Sequence, residues 1–344
     1  MNFTDSIFAD GEARLKTKRK PSPTPATLAE ALDAVVGNLC RDTETGKYVS
    51  CDGVPEGSYT KPAPPAIAPE ELAAASRKIV ESPVTTAYER EHAADFAEAA
   101  LLAAKSIANG DSRDHHALRR PDGTYEYLPP RAARHARIID KMLAGGVPKE
   151  QPTLVLMGGL PGAGKSTAVA ANLRKEGKVV VNADDVKAEL PEYAGWNAAY
   201  LHEESSEIVE AALVAARMMR YDVVFDATLK SSAGALQRMA TFQRDGYRVE
   251  ARFVDVDVAT SIQRAGDHYL EAKKKGDVAR FVPFDYIRSA ALVDGSTKPR
   301  ATFEALRDQM DAYVIVDNRG SRPLPIAQRG KLIESAALRA ALEG

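Results

Sequence analysis

The chain has 344 residues, 44% of them hydrophobic and 27% charged, with a formal net charge of −2. That length admits two domains or one enlarged domain, and the composition is that of an ordinary soluble globular protein. The near-neutral charge weighs against a protein built to grip a nucleic-acid backbone, which shows a basic excess. No apolar run is long enough to cross a bilayer, and the opening MNFTDSIFAD carries neither half of a secretory signal. Cys40 and Cys51 have no second pair to complete a zinc site and are read as free thiols, so the expected compartment is the cytoplasm.

Residues 1–68 are rich in Thr, Pro, Gly and charge, with five prolines from Pro55 to Pro69, and are expected to form a flexible or loosely structured arm. Residues 69–150 are expected to be a helical region. "PEELAAASRKIV" opens on a proline and two glutamates, a helix start. "YEREHAADFAEAALLAAKSIANG" reads as one helix ending in Asn-Gly. "RRPDGTYEYLPP" is a turn-rich connector, and "PRAARHARIIDKMLAGG" a further helix closed by glycines.

From 151 to 344 the texture changes. "TLVLMG", "KVVVNADD", "DVVFDAT", "RVEARFVDVD" and "AYVIVDN" are short apolar runs, separated by helical stretches such as "STAVAANLRKEG" and "YLHEESSEIVEAALVAARMMRYD". Strands alternating with helices predict an α/β fold with a parallel sheet flanked by helices. The tail "KLIESAALRAALEG" is expected to be a short amphipathic helix.

The first of these strands runs into Gly159, Leu160, Pro161, Gly162, Ala163, Gly164, Lys165, Ser166 and Thr167, which satisfies G-x-x-x-x-G-K-[ST] in full. Glycines let backbone N–H groups turn inward around a phosphate, and the following helix adds its dipole. Lys165 is expected at the β- and γ-phosphates and the Ser166 hydroxyl on Mg²⁺. The motif names a nucleoside triphosphate and is silent about the acceptor.

The second strand ends in Asp184 and Asp185, at the sheet edge where ligands bind in such folds. A kinase of small molecules needs a carboxylate there to take the acceptor's proton. The same two residues also suit the cap of the helix "DVKAEL", and the two roles are compatible.

Taken together, "GGLPGAGKST", "VVVNADDVKAELPEY", "HEESSEIVEAAL" and "DVVFDATLKS" resemble the zeta-toxin family of P-loop kinases over residues 152–317. The resemblance implies ATP or GTP as donor with Mg²⁺, and a sugar hydroxyl of a nucleotide-linked substrate such as UDP-N-acetylglucosamine as acceptor. It also implies Asp184, counted back from Lys187 and Pro191, as the base. Sixteen residues before the acidic end of the third strand it places a substrate-contacting Glu210. Asp226 takes the place of a family glutamate, facing substrate or serving Mg²⁺, and Thr228 follows as in the family. Arg264 and Arg280 are the implied lid arginines over the γ-phosphate. Lys187 and Lys230 are further candidates for contact with an anionic acceptor, while His202 reads as a helix-surface or packing residue and Trp196 as packing a loop, with stacking on a base as its alternative.

Three other activities remain open on the sequence: phosphorylation of NAD or another nucleotide, a polynucleotide or modified-base kinase, and a nucleotide-gated switch without transfer. An antitoxin partner is also implied by the resemblance, with cis-inhibition by the N-terminal region as its intramolecular counterpart. Neither a membrane nor a nucleic acid is expected as a partner.

Overall fold

A computed structural model describes residues 27–36, 39–41, 48–50, 61–165, 178–226, 228–320 and 323–330. Five parallel strands and one antiparallel strand form its main sheet, in the order β10-β9-β8-β5-β7-β6. In chain order the described elements begin with α1 (Leu28–Val36), β1 (Leu39–Arg41), β2 (Tyr48–Ser50), α2 (Pro69–Glu81) and α3 (Ala87–Glu91). There follow α4 (Ala93–Ser106), α5 (Ser112–His116), β3 (Ala117–Arg119), β4 (Tyr125–Tyr127) and α6 (Pro129–Leu143). The sheet region comprises β5 (Thr153–Gly158), β6 (Val179–Asn182), α7 (Ala183–Glu189), α8 (His202–Met218), β7 (Val223–Asp226) and α9 (Ser232–Arg244). It continues with β8 (Arg248–Asp255), α10 (Val258–Lys275), α11 (Phe284–Arg288), α12 (Lys298–Leu306), β9 (Ala312–Asp317) and β10 (Leu324–Arg329).

All six residues of β5 are buried, because helices cover both faces of the sheet. Alternate residues of each strand go to opposite sides. Leu154, Leu156, Val181, Ala251 and Phe253 pack with α1, α6, α8, α9 and α12. Val155, Met157, Val180, Val224 and Val254 pack with α4, α10 and α11. The phosphate-loop strand β5 lies between β7 and β8, where the chain reverses direction of winding. That is the topological switch point at which open α/β sheets bind ligands.

The N-terminal elements share both cores. Ala31 and Leu32 of α1 are fully buried, so a helix stands within the arm expected to be loosely structured; its apolar face has the sheet's helical layer to cover it. The expected single helix over 88–110 is broken at His92, whose φ of −107° and ψ of 25° end α3 and begin α4. A capping box between Thr86 and Glu89 starts the short first piece. The connector "RRPDGTYEYLPP" holds an antiparallel pair, β3 with β4. Strand β10, unforeseen in the sequence, adds antiparallel to β9 with an irregularity between Pro325 and Ala327. Proline at an irregular edge strand is its usual place.

Helix α6 is joined to α8 by buried charge. Arg131 donates to Glu204 Oε1 at 2.6 Å and Oε2 at 2.9 Å, and to Glu192 at 2.8 Å. His135 Nε2 lies 2.6 Å from Glu204 Oε1, and Tyr127 donates to Glu207 at 2.5 Å. Burial opposes the Glu204 charge, but the hydrogen bonds from His135 and Arg131 outweigh it and hold the carboxyl well below its usual range.

Candidate active site

The loop after β5 is shaped by close approaches. Gly159 has φ +132°, and a Cβ there would lie 2.3 Å from the Val254 carbonyl oxygen. Gly162 has φ +69° and meets α10, where a Cβ would stand 3.0 Å from the Ser261 carbonyl oxygen. Both positions therefore need glycine on two counts, backbone conformation and space. Three hydrogen bonds hold the loop: Ser261 Oγ donates to the Pro161 carbonyl at 2.6 Å, Asn318 Nδ2 to the Ala163 carbonyl at 2.7 Å, and Gly159 N–H to the Thr228 carbonyl at 3.4 Å. Ser261 and Asn318 went unnoticed in the sequence, and a lone serine and a lone asparagine give no local signal for these tertiary roles.

Lys165 donates from Nζ to the carbonyls of Gly159 at 3.1 Å and Leu160 at 3.0 Å, folded back into its own loop. Burial pushes its pKa down, partly offset by the charges of Asp226 and Asp184. Ser166, Thr167 and the helix expected after them lie outside the described residues, as does the expected C-terminal helix.

Asn182 ends β6 and caps α7; the cap expected at Asp184 and Asp185 is therefore displaced, because the helix begins at Ala183 and both aspartates lie in its first turn. Asn182 Oδ1 accepts from Asp184 N–H at 2.7 Å, and its Nδ2 donates to Asp226 Oδ2 at 3.0 Å. One side chain thus links the ends of β6 and β7. Burial pushes the Asp226 carboxyl up; Lys165 counters this, while Asp184 and Asp185 add to it.

Asp184 is half-exposed and pairs with Arg280 through Oδ2 and with Lys187 through Oδ1, the latter at 3.3 Å. Asp185 is exposed. Arg264 lies on α10 beside Gly162, its Cβ 3.3 Å from where a Gly162 Cβ would be. Lys165, Asp184, Asp226 and Arg280 are therefore brought within electrostatic reach of one another, at the carboxyl ends of β5, β6 and β7 and the segment after α10.

Other expected contacts lie elsewhere. Glu210 is exposed and pairs with Arg238 of α9, whose guanidinium sits 4.2 Å from the Phe225 ring centre. Lys230 donates to Ser289 Oγ at 2.8 Å and lies over the Tyr286 ring, engaged with α11. His202 lies near Lys187 and Asp184, and burial, with Lys187 next, holds its imidazole below the ordinary range. Trp196 lines a separate cavity of about 230 Å³ with Leu102, Tyr269, Lys273 and Phe281.

The donor set suits the implied Mg²⁺. Among the described residues no cluster of three or more His, Cys, Asp or Glu forms a metal cage. Mg²⁺ at a nucleotide keeps several waters and takes one or two protein oxygens beside the phosphates. The Asp226 carboxyl, whose charge burial leaves under-compensated, is an oxygen donor of that kind.

The family model described as Zeta toxin matches residues 139–324, more than half of the chain. None of the curated proteins compared with the chain matches it. Among solved structures, one from the PezAT chromosomal toxin–antitoxin system of Streptococcus pneumoniae is 18% identical, with a TM-score of 0.46. The match covers 60% of this chain and 84% of that one. The AvrRxo1-ORF1:-ORF2 complex with ATP is 19% identical with a TM-score of 0.49, over 59% of this chain and 68% of that one. The same complex in native form is 17% identical with a TM-score of 0.49, over 63% and 72%. On the family-model match, the chain belongs to the zeta-toxin family of P-loop kinases.

Proposed function

We propose that this protein transfers the γ-phosphoryl of ATP or GTP to a sugar hydroxyl of a nucleotide-linked substrate, of which UDP-N-acetylglucosamine is the model. The observation that carries the reading is the meeting of the phosphate-loop lysine, a carboxylate and an arginine at one edge of the sheet. Lys165 feels the charges of Asp226, Asp184 and Arg280. A nucleotide switch has no need of a carboxylate paired with an arginine beside the phosphate loop.

In this mechanism the backbone N–H groups of Gly162, Gly164 and Lys165 hold the phosphates, and Lys165 exchanges its two loop carbonyls for phosphate oxygens. Asp184 accepts the acceptor's hydroxyl proton as that oxygen bonds to the γ-phosphorus and the bond to the bridging oxygen breaks. Arg280 and Arg264 offset charge on the transferring group, the role that guanidinium forks fill at phosphates. Ser166 and Asp226 are the residues that would hold Mg²⁺, which supplies charge neutralisation across the phosphates when bound. Glu210 and Thr228 are assigned to the acceptor side by the family resemblance. Arg238 would have to yield Glu210 for that role.

The chain is organised, on this reading, as an arm over 1–68, a helical support over 69–150 and the kinase over 151–344. Burial of Phe96 in one core and of Ala136 and Ile139 in the other supports a buttressing role for the N-terminal helices. An antitoxin partner belongs to the same proposal. Cytoplasmic action also does; among the described residues no helix is long and apolar enough to cross a membrane.

The test is to incubate the full chain with labelled ATP or GTP, Mg²⁺ and a panel of nucleotide sugars, dinucleotides and oligonucleotides, identifying the product by mass. A phosphorylated nucleotide sugar is the expected product. A labelled dinucleotide or polynucleotide would replace the acceptor, and binding without transfer would favour a switch.

A further inference from the structure

Lys187 was a candidate for direct contact with an anionic acceptor. In the structure it is only 3% exposed, buried on α7 one turn after Asp184, and its ammonium is committed to Asp184 Oδ1. The other carboxylate oxygen, Oδ2, is paired with Arg280. Each oxygen of the expected base thus has its own cation.

The two cations differ in what they are free to do. Lys187 belongs to the same short helix as Asp184 and is enclosed by its surroundings, with its amine directed at Asp184. Arg280 stands after α10, its side chain about one-third exposed. Its Nε is buried without a hydrogen-bond partner among the described residues. A guanidinium fork with an unused donor is incompletely satisfied by one carboxylate oxygen. A γ-phosphate at Lys165 would offer it two oxygens for a forked pair instead.

We propose that Lys187 is a positioning residue for phosphoryl transfer: it fixes Oδ1 of Asp184 so that Oδ2 receives the proton, with Arg280 covering Oδ2 until the donor's γ-phosphate draws it away. This rests on the kinase reading with Asp184 as base. The acceptor's O–H proton passes to Oδ2, and its oxygen bonds to the γ-phosphorus. The bond from that phosphorus to the β–γ bridging oxygen breaks, and the electron pair leaves with the nucleoside diphosphate. Before the donor binds, the base is covered and no acceptor is activated. Afterwards it is held by one oxygen only, which leaves its free lone pair directed at the acceptor.

The experiment uses the full chain and reads γ-phosphate transfer from ATP to water and to UDP-N-acetylglucosamine, for wild type, Lys187→Met and Lys187→Arg. Lys187→Met keeps the shape and removes the ammonium, whereas Lys187→Arg restores a cation within reach of Oδ1. A positioned proton acceptor contributes about 10²–10⁴-fold to rate, so losing its orientation is expected to lower kcat about tenfold or more. The KM for ATP should stay unchanged, and Lys187→Arg should recover much of kcat. Thermal melting of each variant separates this from simple unfolding. If Lys187→Met retains wild-type kcat, or if a folded Lys187→Arg is as slow as Lys187→Met, the positioning role is wrong while the kinase reading stands. If the wild-type chain transfers phosphate neither to water nor to any acceptor of the panel, the kinase reading fails and this inference with it.

Discussion

At the scale of single residues, the site is a small set of charges whose arrangement decides what each can do. Asp226 is pushed toward its neutral form by burial, and Asn182 is the one described side chain that donates to it. Replacing Asn182 by Ala removes the α7 cap and this donor together. The expected result is a loss of about 1 kcal/mol for the cap and a weaker apparent affinity for Mg²⁺ in ATP turnover. Denaturant unfolding and a Mg²⁺ titration measure the two separately. Asn182→Asp keeps the cap but sets a carboxylate against Asp226; it should therefore retain the cap's contribution, lose stability through like-charge repulsion with Asp226, and change the Mg²⁺ dependence. A Mg²⁺ dependence unchanged in both variants would show that Asn182 is a cap alone.

Among the elements, α4 has the most direct hold on the helices that carry the arginines. Phe96 is 1% exposed and packs against Phe284, Phe281 and Tyr269, with ring centres 4.8, 6.2 and 6.4 Å away. Phe281 follows Arg280 directly. Around this cluster Tyr88 donates to Asp267 at 2.8 Å, Lys273 to Asp95 at 2.8 Å, and Arg288 pairs with buried Glu89. Phe96→Ala is expected to cost about 3–5 kcal/mol and to lower kcat, since the cavity opens beneath Arg280. Calorimetry and steady-state kinetics check both. Unaltered turnover in a destabilised variant would separate α4 from the catalytic geometry.

Much of this element scale was legible in the sequence, and the exceptions have physical causes. The five parallel strands follow from short apolar runs that only a sheet covered on both faces can bury. The phosphate loop follows from glycines that sterics require. Asp184, placed from the family's spacing, does stand at the sheet edge, whereas Glu210 is held by Arg238 in a contact between helices distant in sequence. The hairpin β3–β4 is three residues a side, too short for a period-two pattern to emerge. The break at His92 leaves the helical periodicity nearly unaltered on both sides. Strand β10 contains Pro325, which argues against a strand except at an edge.

The molecule as a whole is joined across its N-terminal and sheet regions by the buried Arg131, His135 and Glu204, so its stability should depend on pH. Glu204 is held well below its ordinary range, so it contributes stability above the unfolded carboxyl pKa of about 4.3, and this is lost as pH falls toward its folded value. His135 is also lowered, by burial first. The unfolded chain then takes up a proton before the folded one, and stability declines as pH falls below about 6.5. The midpoint of thermal unfolding should be level near neutral pH and fall in two steps on acidification. His135→Gln should remove the upper step. Glu204→Gln leaves the buried Arg131 with Glu192 as its remaining carboxylate partner and should cost a few kcal/mol, up to about 3–5, at neutral pH. A midpoint that rises on acidification would contradict this account of the cluster.

The central claim is that Asp184 receives a proton during phosphoryl transfer at this loop. The most direct measurement compares labelled product formation and ATP affinity in wild type, Asp184→Asn and Asp185→Asn, with the acceptor found in the panel. The account predicts that Asp184→Asn loses about 10²–10⁴-fold in turnover while still binding ATP, and that Asp185→Asn remains active. An active Asp184→Asn beside an inactive Asp185→Asn would contradict the assignment of the base, and full activity in both would contradict carboxylate catalysis at the end of β6.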